Sequence, residues 1–357
     1  MNEPKSSRYH RLRRRAGFAS LACTIGLLAA MLVIRPALPV AAYVLLLALL
    51  YALLTLPIAY YRSFLLDHRY ELSSEPAVTW FRDHLKGLAI GVLLALAGAE
   101  TVYFLIAWNE RWWWVAAAGI GTLVTLVFVR LAPVVLLPLF FRFTPLERPA
   151  LSARLLELSR RAGVPVLGAF EWGLGAKTRR ANAALVGAGA TRRILLSDTL
   201  LAEYTDDEVE VILAHELGHH VHHDIAKGII LQFVLLLASA YAASVAISSV
   251  WLSMGFRGPA DPAAMPVLLF AAGTVMFVAT PLVNALSRFN ERSADRFALT
   301  LTHRHDAFVS AMRRLGAQNL AEESPSPASV WLFHTHPPIE ERIAAAREGR
   351  HEGGQAP

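Results

Sequence analysis

The sequence predicts a mainly α-helical protein that spans a membrane about six times and carries an α+β domain divided around its last two spans. Three observations support this fold class. Hydrophobic residues make up 55% of the 357 residues and charged residues only 17%, whereas soluble domains carry about 25% charged residues. The hydrophobic residues lie in six long runs, and a spanning helix needs roughly 20 of them. Polar segments follow the fourth and the sixth run.

The six hydrophobic runs are almost free of charge. Four of them carry no charged residue, and the other two carry one each, Glu100 and Arg130. A buried core helix would explain one run of this length, but six together indicate membrane-spanning helices. The runs cover residues 17–34, 36–61, 87–108, 112–141, 228–256 and 265–287.

The basic residues alternate along the chain as the positive-inside rule describes. They cluster before the first run, between the second and third, after the fourth and after the sixth, whereas the other loops carry only Arg35, Arg111 and Arg257. This pattern predicts a multi-pass protein of the cell (inner) membrane with both termini and both polar segments in the cytoplasm. It also accounts for the net charge of +6, so we expect a lipid bilayer and no nucleic acid as partner.

The chain divides into five predicted segments. Residues 1–141 form an N-terminal membrane domain of four spans, and residues 228–287 form a helical membrane hairpin. The polar segments 142–227 and 288–350 form two parts of one cytoplasmic domain, because the hairpin returns the chain to the same face. We expect residues 351–357 to be a disordered tail.

The first polar segment mixes helical and extended patterns. Its motif Thr205-Asp-Asp-Glu208 is a capping box that opens a helix. We find no strong break signal after it, so we predict one helix from Asp206 into the fifth span. Before it, the patterns predict a helix over 149–162 and strands over 165–172, 181–186 and 192–196.

The predicted helix after the capping box contains the pattern His215-Glu216-Leu217-Gly218-His219. The two histidines lie one turn apart on one face, so both imidazoles can bind one Zn²⁺. Glu216 can then accept a proton from a water molecule beside the ion. The pentapeptide also arises by chance, but its place on a capped helix at a membrane face favours one zinc ion per chain.

A third ligand is expected just after the sixth span. Glu291 lies three residues beyond Arg288, and an antiparallel helical hairpin brings it to the same membrane face as His219. Asp295 follows four residues later, where it can accept a ring N–H from a ligand histidine. The alternative for both carboxylates is ion pairing with Arg292 or Arg296.

Three further histidines follow the pentapeptide. His220, His222 and His223, together with Asp224, fit the polar end of a helix, where cationic groups favour the negative terminus. The alternative is the metal path of a zinc transporter.

Further motifs are spread over most of the chain. They are Ala214-His-Glu-Leu-Gly-His219, Asn290-Glu-Arg-Ser-Ala-Asp295, His336-Pro-Pro-Ile-Glu-Glu-Arg342, Arg180-Ala-Asn-Ala183 and Arg192-Arg-Ile-Leu-Leu-Ser-Asp198. Upstream lie Tyr61-Arg-Ser-Phe64, His68-Arg-Tyr70 and Phe81-Arg-Asp-His-Leu-Lys-Gly87. Together these motifs resemble an integral-membrane zinc metallopeptidase family, the type I CAAX prenyl proteases. Related heat-shock membrane proteases (HtpX-like) share the zinc motifs but lack the upstream match, which lies in the N-terminal membrane domain.

The resemblance implies a role for each matched residue. It implies a gluzincin site with His215, His219 and Glu291 as zinc ligands and Glu216 as general base. It implies that His336 donates a hydrogen bond to the oxyanion and that Arg342 supports this donor or the substrate carbonyl. It also places Asn182 and Ala183 on an edge strand that binds an extended substrate.

These expectations lead to one main hypothesis and three alternatives. The main hypothesis is a zinc endopeptidase that acts at the cytoplasmic membrane face on peptides or proteins, including lipidated or membrane-bound ones. The alternatives are a quality-control protease for misfolded membrane proteins, a zinc transporter and a catalytically inactive membrane scaffold. The chain departs from the eukaryotic prenyl proteases in having one predicted span fewer.

Overall fold

The structure is a computed structural model that describes residues 4–187, 189–322 and 324–353. Most of these residues are helical, and six helices are long and apolar enough to cross a membrane. Four of the six precede the first polar segment and two follow it. The predicted fold class, with about six spans and a small α+β domain, is therefore confirmed.

The first four spans are built from helices α1 to α6. The second and fourth spans each contain a five-residue π-helical turn, so each comprises a long and a short helix. The second of these turns includes Pro133, whose missing N–H cannot join the regular α-helical pattern. The helices are α1 (Lys5–Ile34), α2 (Val40–Tyr60), α3 (Leu66–Arg69), α4 (Ala77–Trp108), α5 (Trp113–Leu131) and α6 (Leu137–Phe140).

A four-stranded sheet and three helices follow the fourth span. The strand order is β1-β2-β4-β3, with β2 and β4 parallel and the outer pairs antiparallel. β3 therefore lies at one edge, and the three predicted strands are present. β1 was not predicted, because a three-residue strand containing proline gives no periodic signal. The elements are β1 (Phe143–Pro145), α7 (Pro149–Arg161), β2 (Gly168–Trp172), β3 (Ala183–Val186), β4 (Arg193–Ser197), α8 (Asp198–Glu203) and α9 (Asp206–Val221).

The last two spans and three further helices complete the described chain. The spans form an antiparallel hairpin, and the second of them continues without a break for 38 residues out of the apolar segment and into the polar domain. This continuous helix carries both Glu291 and Asp295. The helices are α10 (Asp224–Val250), α11 (Met265–Thr302), α12 (His305–Gln318), α13 (Pro327–Phe333) and α14 (Ile339–Gly353). The prediction of a disordered tail was therefore wrong for residues 351–353, which are helical, and its residues 354–357 lie outside the described residues.

The prediction of one uninterrupted helix from Asp206 into the fifth span was wrong. The capping box at Thr205 opens α9 as predicted, but α9 ends at Val221, and His223 adopts a left-handed conformation with φ of 55°. Such a conformation costs a non-glycine residue about 1 kcal/mol or more. The break turns Asp224 back towards α9, where its carboxylate accepts a hydrogen bond from His219. No local sequence pattern predicts this contact.

Helix α9 lies at the centre of the polar domain. It packs between α7 and the sheet on one side and α11 and α12 on the other. Five of its buried residues belong to one hydrophobic cluster with α7, β4 and α12, so burial of this face stabilises the domain and holds the pentapeptide helix in place. The members from α9 are Val209, Ile212, Leu213, Ala214 and Leu217.

Candidate metal centre and active site

Three side chains that the sequence analysis selected meet between α9 and α11. The Nε2 atoms of His215 and His219 lie 3.2 Å apart. Glu291 Oε2 lies 3.3 Å from the first and Oε1 lies 3.4 Å from the second. One ligand atom from each residue can be chosen so that all lie within 4.8 Å of one another. A single ion can therefore contact all three side chains.

The two helices approach closely because Gly218 has no side chain. A Cβ atom built on Gly218 would lie 2.9 Å from the Cα atom of Ala294, closer than real Cβ contacts allow. Gly218 stands between the two histidines, and Ala294 stands between Glu291 and Asp295. The glycine thus sets the distance between the imidazoles and the carboxylate.

Each histidine is oriented by a second carboxylate. His215 Nδ1 lies 2.8 Å from Asp295 Oδ1, and His219 Nδ1 lies 2.8 Å from Asp224 Oδ2. These partners assign the N–H to Nδ1, so the lone pair of each Nε2 points into the shared space. Asp295 was expected at such a position from its spacing. Asp224 was missed, because its contact depends on the break at His223.

The charges around the histidines fit a divalent cation. Burial alone would lower the pKa of His215, but its contacts with the carboxylates of Asp295 and Glu291 outweigh burial and raise the pKa to about 9. Glu291 Oε2 is buried and makes no hydrogen bond within the described residues. Two imidazoles and a carboxylate with an open side are the donor set of catalytic zinc sites, so the residues present fit such an ion.

Arg342 lies behind the histidine pair. Its Nε and Nη2 atoms donate to Asp295 Oδ2 and Oδ1 at 2.8 and 2.6 Å, and Nη2 lies 3.7 Å from Glu291 Oε2. The resemblance implied that Arg342 supports His336 or a substrate carbonyl. In the structure its bidentate contact is with Asp295, so its direct effect is on the carboxylate that orients His215.

Glu216 and His336 line the open side of this cluster. Burial raises the pKa of the Glu216 carboxyl, because a partly desolvated carboxylate is disfavoured relative to its neutral form. His336 Nε2 lies 3.3 Å from Glu291 Oε1, and its side chain is 60% exposed. The two groups therefore share a solvent-accessible space with the candidate metal ligands.

Two residues of α11 that the sequence analysis missed hold the segment before His336. Asn284 Nδ2 donates to the carbonyl of Leu332 at 2.7 Å. Arg288 is buried and donates to the carbonyl oxygens of Val330 and His334 at 3.0 and 2.6 Å. Helix α11 thus positions both Glu291 and the end of α13. No local pattern marks these residues, since their partners lie more than 40 positions away.

The cluster opens into a cavity of about 700 Å³ that Asn182 and Ala183 also line. Asn182 donates its backbone N–H to Ser197 Oγ and accepts from the Ser197 N–H, both at 2.9 Å. Antiparallel strands alternate between such bonded positions and outward-facing ones. The backbone N–H and carbonyl of Ala183 therefore face the free edge of β3. Of the two residues that the resemblance placed there, Asn182 offers its side chain and Ala183 its backbone.

Comparison with known families covers almost the whole chain. Residues 145–350 match peptidase family M48, and residues 16–142 match the N-terminal domain of CAAX prenyl proteases, which is described as having five membrane helices. In this chain, the described residues of the second range form four helices of membrane length. A match in this N-terminal region disfavours the alternative of an HtpX-like quality-control protease.

Individual relatives agree with the family match. The chain is 30% identical over 311 residues to the uncharacterized metalloprotease YhfN of Bacillus subtilis, covering 86% of this chain and 72% of the relative. It is 26% identical to CAAX prenyl protease 1 of Saccharomyces cerevisiae, covering 84% and 70%. The crystal structure of S. mikatae Ste24p superposes with a TM-score of 0.85 at 21% identity, over 96% of this chain and 88% of that one. The chain therefore belongs to peptidase family M48 and is a multi-pass membrane metallopeptidase.

Proposed function

We propose that this chain is a zinc-dependent endopeptidase that cleaves peptide bonds at the cytoplasmic face of the cell membrane. The observation that carries the proposal is the convergence of His215, His219 and Glu291 beside a cavity that His215 and Glu291 line. The excess of basic residues in the loops on the side of the polar domain supports the cytoplasmic assignment.

The three converging side chains would hold one zinc ion per chain. Bound there, such an ion would polarise a scissile carbonyl and lower the pKa of a water molecule at the site to about 7. Asp295 and Asp224 hold the imidazoles in the tautomer that leaves Nε2 free. Arg342 acts through Asp295 as a positioning residue, because its two donors fix that carboxylate.

Glu216 is the proposed general base. Its carboxylate accepts a proton from the attacking water and then passes it to the nitrogen of the leaving amine, which departs as a neutral amine. The raised pKa of Glu216 brings its proton affinity closer to the working pH. His336 Nε2 donates a hydrogen bond to the oxygen that becomes negatively charged in the transition state.

An extended substrate would pair with the free edge of β3. The backbone of Ala183 supplies one N–H and one carbonyl for this pairing, and the side chain of Asn182 lies beside them in the cavity. The substrates are peptides or proteins that reach the membrane surface. The names of several relatives support prenylated substrates as one class.

The decisive test uses purified full-length protein and the variant Glu216→Gln. We expect this variant to bind one zinc ion per chain, measured by elemental analysis, and to lose cleavage by 100-fold or more. Glu340→Gln, on the exposed side of α14, is the matched control and should keep full cleavage. Full cleavage by Glu216→Gln would refute the peptidase mechanism. Zinc transport into liposomes without cleavage would instead support the transporter hypothesis.

A further inference from the structure

The start of α1 extends beyond the apolar part of the first span and lies against the polar domain. This stretch covers residues 5–15, about three turns of helix, and it precedes residue 16, where the match to the N-terminal family domain begins. Tyr9 is buried within it, and the Tyr9 hydroxyl accepts a hydrogen bond from Arg180 at 2.8 Å. Since Arg180 leads into β3, the stretch is joined to the strand at the edge of the cavity.

Two further contacts from this stretch hold residues 320–322, which follow α12. His10 Nε2 donates to the carbonyl of Leu320 at 2.9 Å, and Leu320 has a φ of 54°, a left-handed conformation that leucine rarely adopts. Arg14 donates from Nη1 and Nη2 to Glu322 Oε2 and Oε1 at 2.8 and 3.3 Å. His10 and Arg14 lie one turn apart on α1, so one face of the helix fixes both ends of this short segment.

The charge of Glu322 depends on Arg14. The Glu322 side chain is only 8% exposed. Burial alone would raise its pKa, but the hydrogen bonds and the charge of Arg14 outweigh burial and lower the pKa, so the carboxyl is ionised. Within the described residues, the other group at ion-pair distance is His334, whose Nε2 lies 3.4 Å from Glu322 Oε2. Because a buried carboxylate that loses its cation is strongly destabilised, Arg14 keeps Glu322 in place beside His334.

His334 in turn controls the position of His336, two residues later. The side chain of His334 contacts Glu322, and its carbonyl accepts a hydrogen bond from Arg288 at 2.6 Å. His336 itself is held by little packing, since 60% of its side chain is exposed. Two prolines follow it, and their rings fix φ. The place of His336 Nε2, 3.3 Å from Glu291 Oε1, therefore depends on how His334 is held.

We propose that Arg14, acting through Glu322 and His334, positions His336 for hydrolysis. The start of α1 then contributes positioning residues to the active site from outside the residues that match the family. This assignment rests on the proposed peptidase function and deepens it. Arg14 also lines the cavity, so a direct contact with the substrate is the alternative, and the two roles have opposite effects on kcat and KM.

The test measures kcat and KM separately for one reporter peptide, using the full-length protein and the variants Arg14→Gln and Glu322→Gln. We expect both variants to keep one zinc ion per chain and an unchanged KM. We expect kcat to fall about tenfold, because a displaced His336 donates less well to the oxygen that becomes negatively charged. Arg14→Lys keeps the charge but not the paired hydrogen bonds, so its kcat should lie between those of Arg14→Gln and wild type.

The matched controls each remove one charge outside the cavity. Arg15→Gln, at the next position of α1, and Glu147→Gln, just before α7, change exposed residues and should cleave as wild type does. The double variant Arg14→Gln/Glu322→Gln should lose no more kcat than Glu322→Gln alone, because Arg14 acts through Glu322. Losses that multiply in the double variant would overturn the proposal.

Three other results would also contradict a positioning role. A higher KM with unchanged kcat would show that Arg14 binds the substrate, and a loss of zinc together with kcat would place the effect at the metal centre. An equal loss in Arg15→Gln would assign the effect to the charge of the membrane face. If Glu322→Gln does not fold, the two Arg14 variants decide the test, because the Arg14 side chain is partly exposed.

Failure of this proposal is distinct from failure of the proposed function. If the peptidase mechanism is wrong, Glu216→Gln cleaves as wild type does. If only the positioning role is wrong, Glu216→Gln is inactive and Arg14→Gln keeps the wild-type kcat.

Discussion

Gly218 and Ala294 touch where the helix of the two histidines crosses the helix of Glu291. A methyl group on Gly218 would come within 2.9 Å of the Ala294 Cα atom. Since backbone cannot yield as a flexible side chain can, the helices must separate to accommodate it. The distance across which one ion is shared therefore depends on the absence of a single side chain.

The first prediction follows from this contact. Gly218→Ala should weaken zinc binding by tenfold or more and lower the thermal midpoint, because the imidazoles move away from Glu291. Gly228→Ala is the matched control, since a Cβ there meets nothing within 4 Å and alanine favours a helix. Competition with a chelator measures the zinc affinity of both variants and tests this prediction. Equal affinities in the two variants would contradict the prediction.

The second prediction concerns the carboxylate behind His215. Asp295→Asn should lower zinc affinity 10- to 100-fold, the usual effect of losing a group that orients a ligand histidine. Arg342→Met should weaken binding in the same direction, because it frees Asp295 from two hydrogen bonds. Calorimetric zinc titrations of the folded variants measure both effects. Wild-type affinity in Asp295→Asn would show that the Nδ1 contact is dispensable.

The third prediction separates positioning from metal binding. Arg288→Met should keep one zinc ion per chain but lower kcat about 10- to 100-fold, because the carbonyls of Val330 and His334 lose their donor and His336 shifts. Arg296→Gln, on an exposed face of the same helix, should behave as wild type. We would measure kcat and KM separately for wild type and both variants. A rise in KM alone would point to a substrate contact and against a positioning role.

The fourth prediction concerns stability at acidic pH. The hydrogen bond from Arg154, helped by Arg304, outweighs burial and lowers the pKa of Asp207. A group whose pKa is lower in the folded state stabilises the fold above its unfolded pKa of about 3.9 and loses this effect as pH falls through the folded value. Asp207→Asn should therefore unfold at a lower temperature than wild type at pH 7.

The difference in unfolding temperature between wild type and Asp207→Asn should shrink below about pH 4. Thermal unfolding of both proteins in detergent between pH 7 and about pH 2 measures this difference in unfolding temperature. Glu340→Gln controls for the loss of one negative charge at an exposed position. A difference that stays constant down to pH 2 would show that Asp207 acts without titrating.

Local sequence patterns predicted the elements that depend on residues close together in the chain. The uncharged runs predicted the six spans, Thr205 and Glu208 predicted the start of α9, and helical spacing predicted that His215 and His219 share a face. The hairpin argument extended this to Glu291, because two antiparallel spans must emerge on one side.

Features that depend on contacts through space were missed. The left-handed residue His223 brings Asp224 into contact with His219, and no glycine or proline marks this position. The contacts of Asn284 and Arg288 join segments more than 40 residues apart. The role of Arg342 likewise depends on packing of α14 against α11, which no periodicity describes.

The unbroken course of α11 has a mechanical consequence. Glu291 stands on a single helix that begins at the far end of its apolar segment and contains Pro281, whereas the left-handed residue His223 separates the imidazole-bearing helix from its own transmembrane segment. When the bilayer thins or thickens, a tilt of α11 would change the position of Glu291 relative to His215 and His219. We expect the rate of peptide hydrolysis in reconstituted vesicles to vary with acyl-chain length, so that the thickness of the bilayer regulates the enzyme.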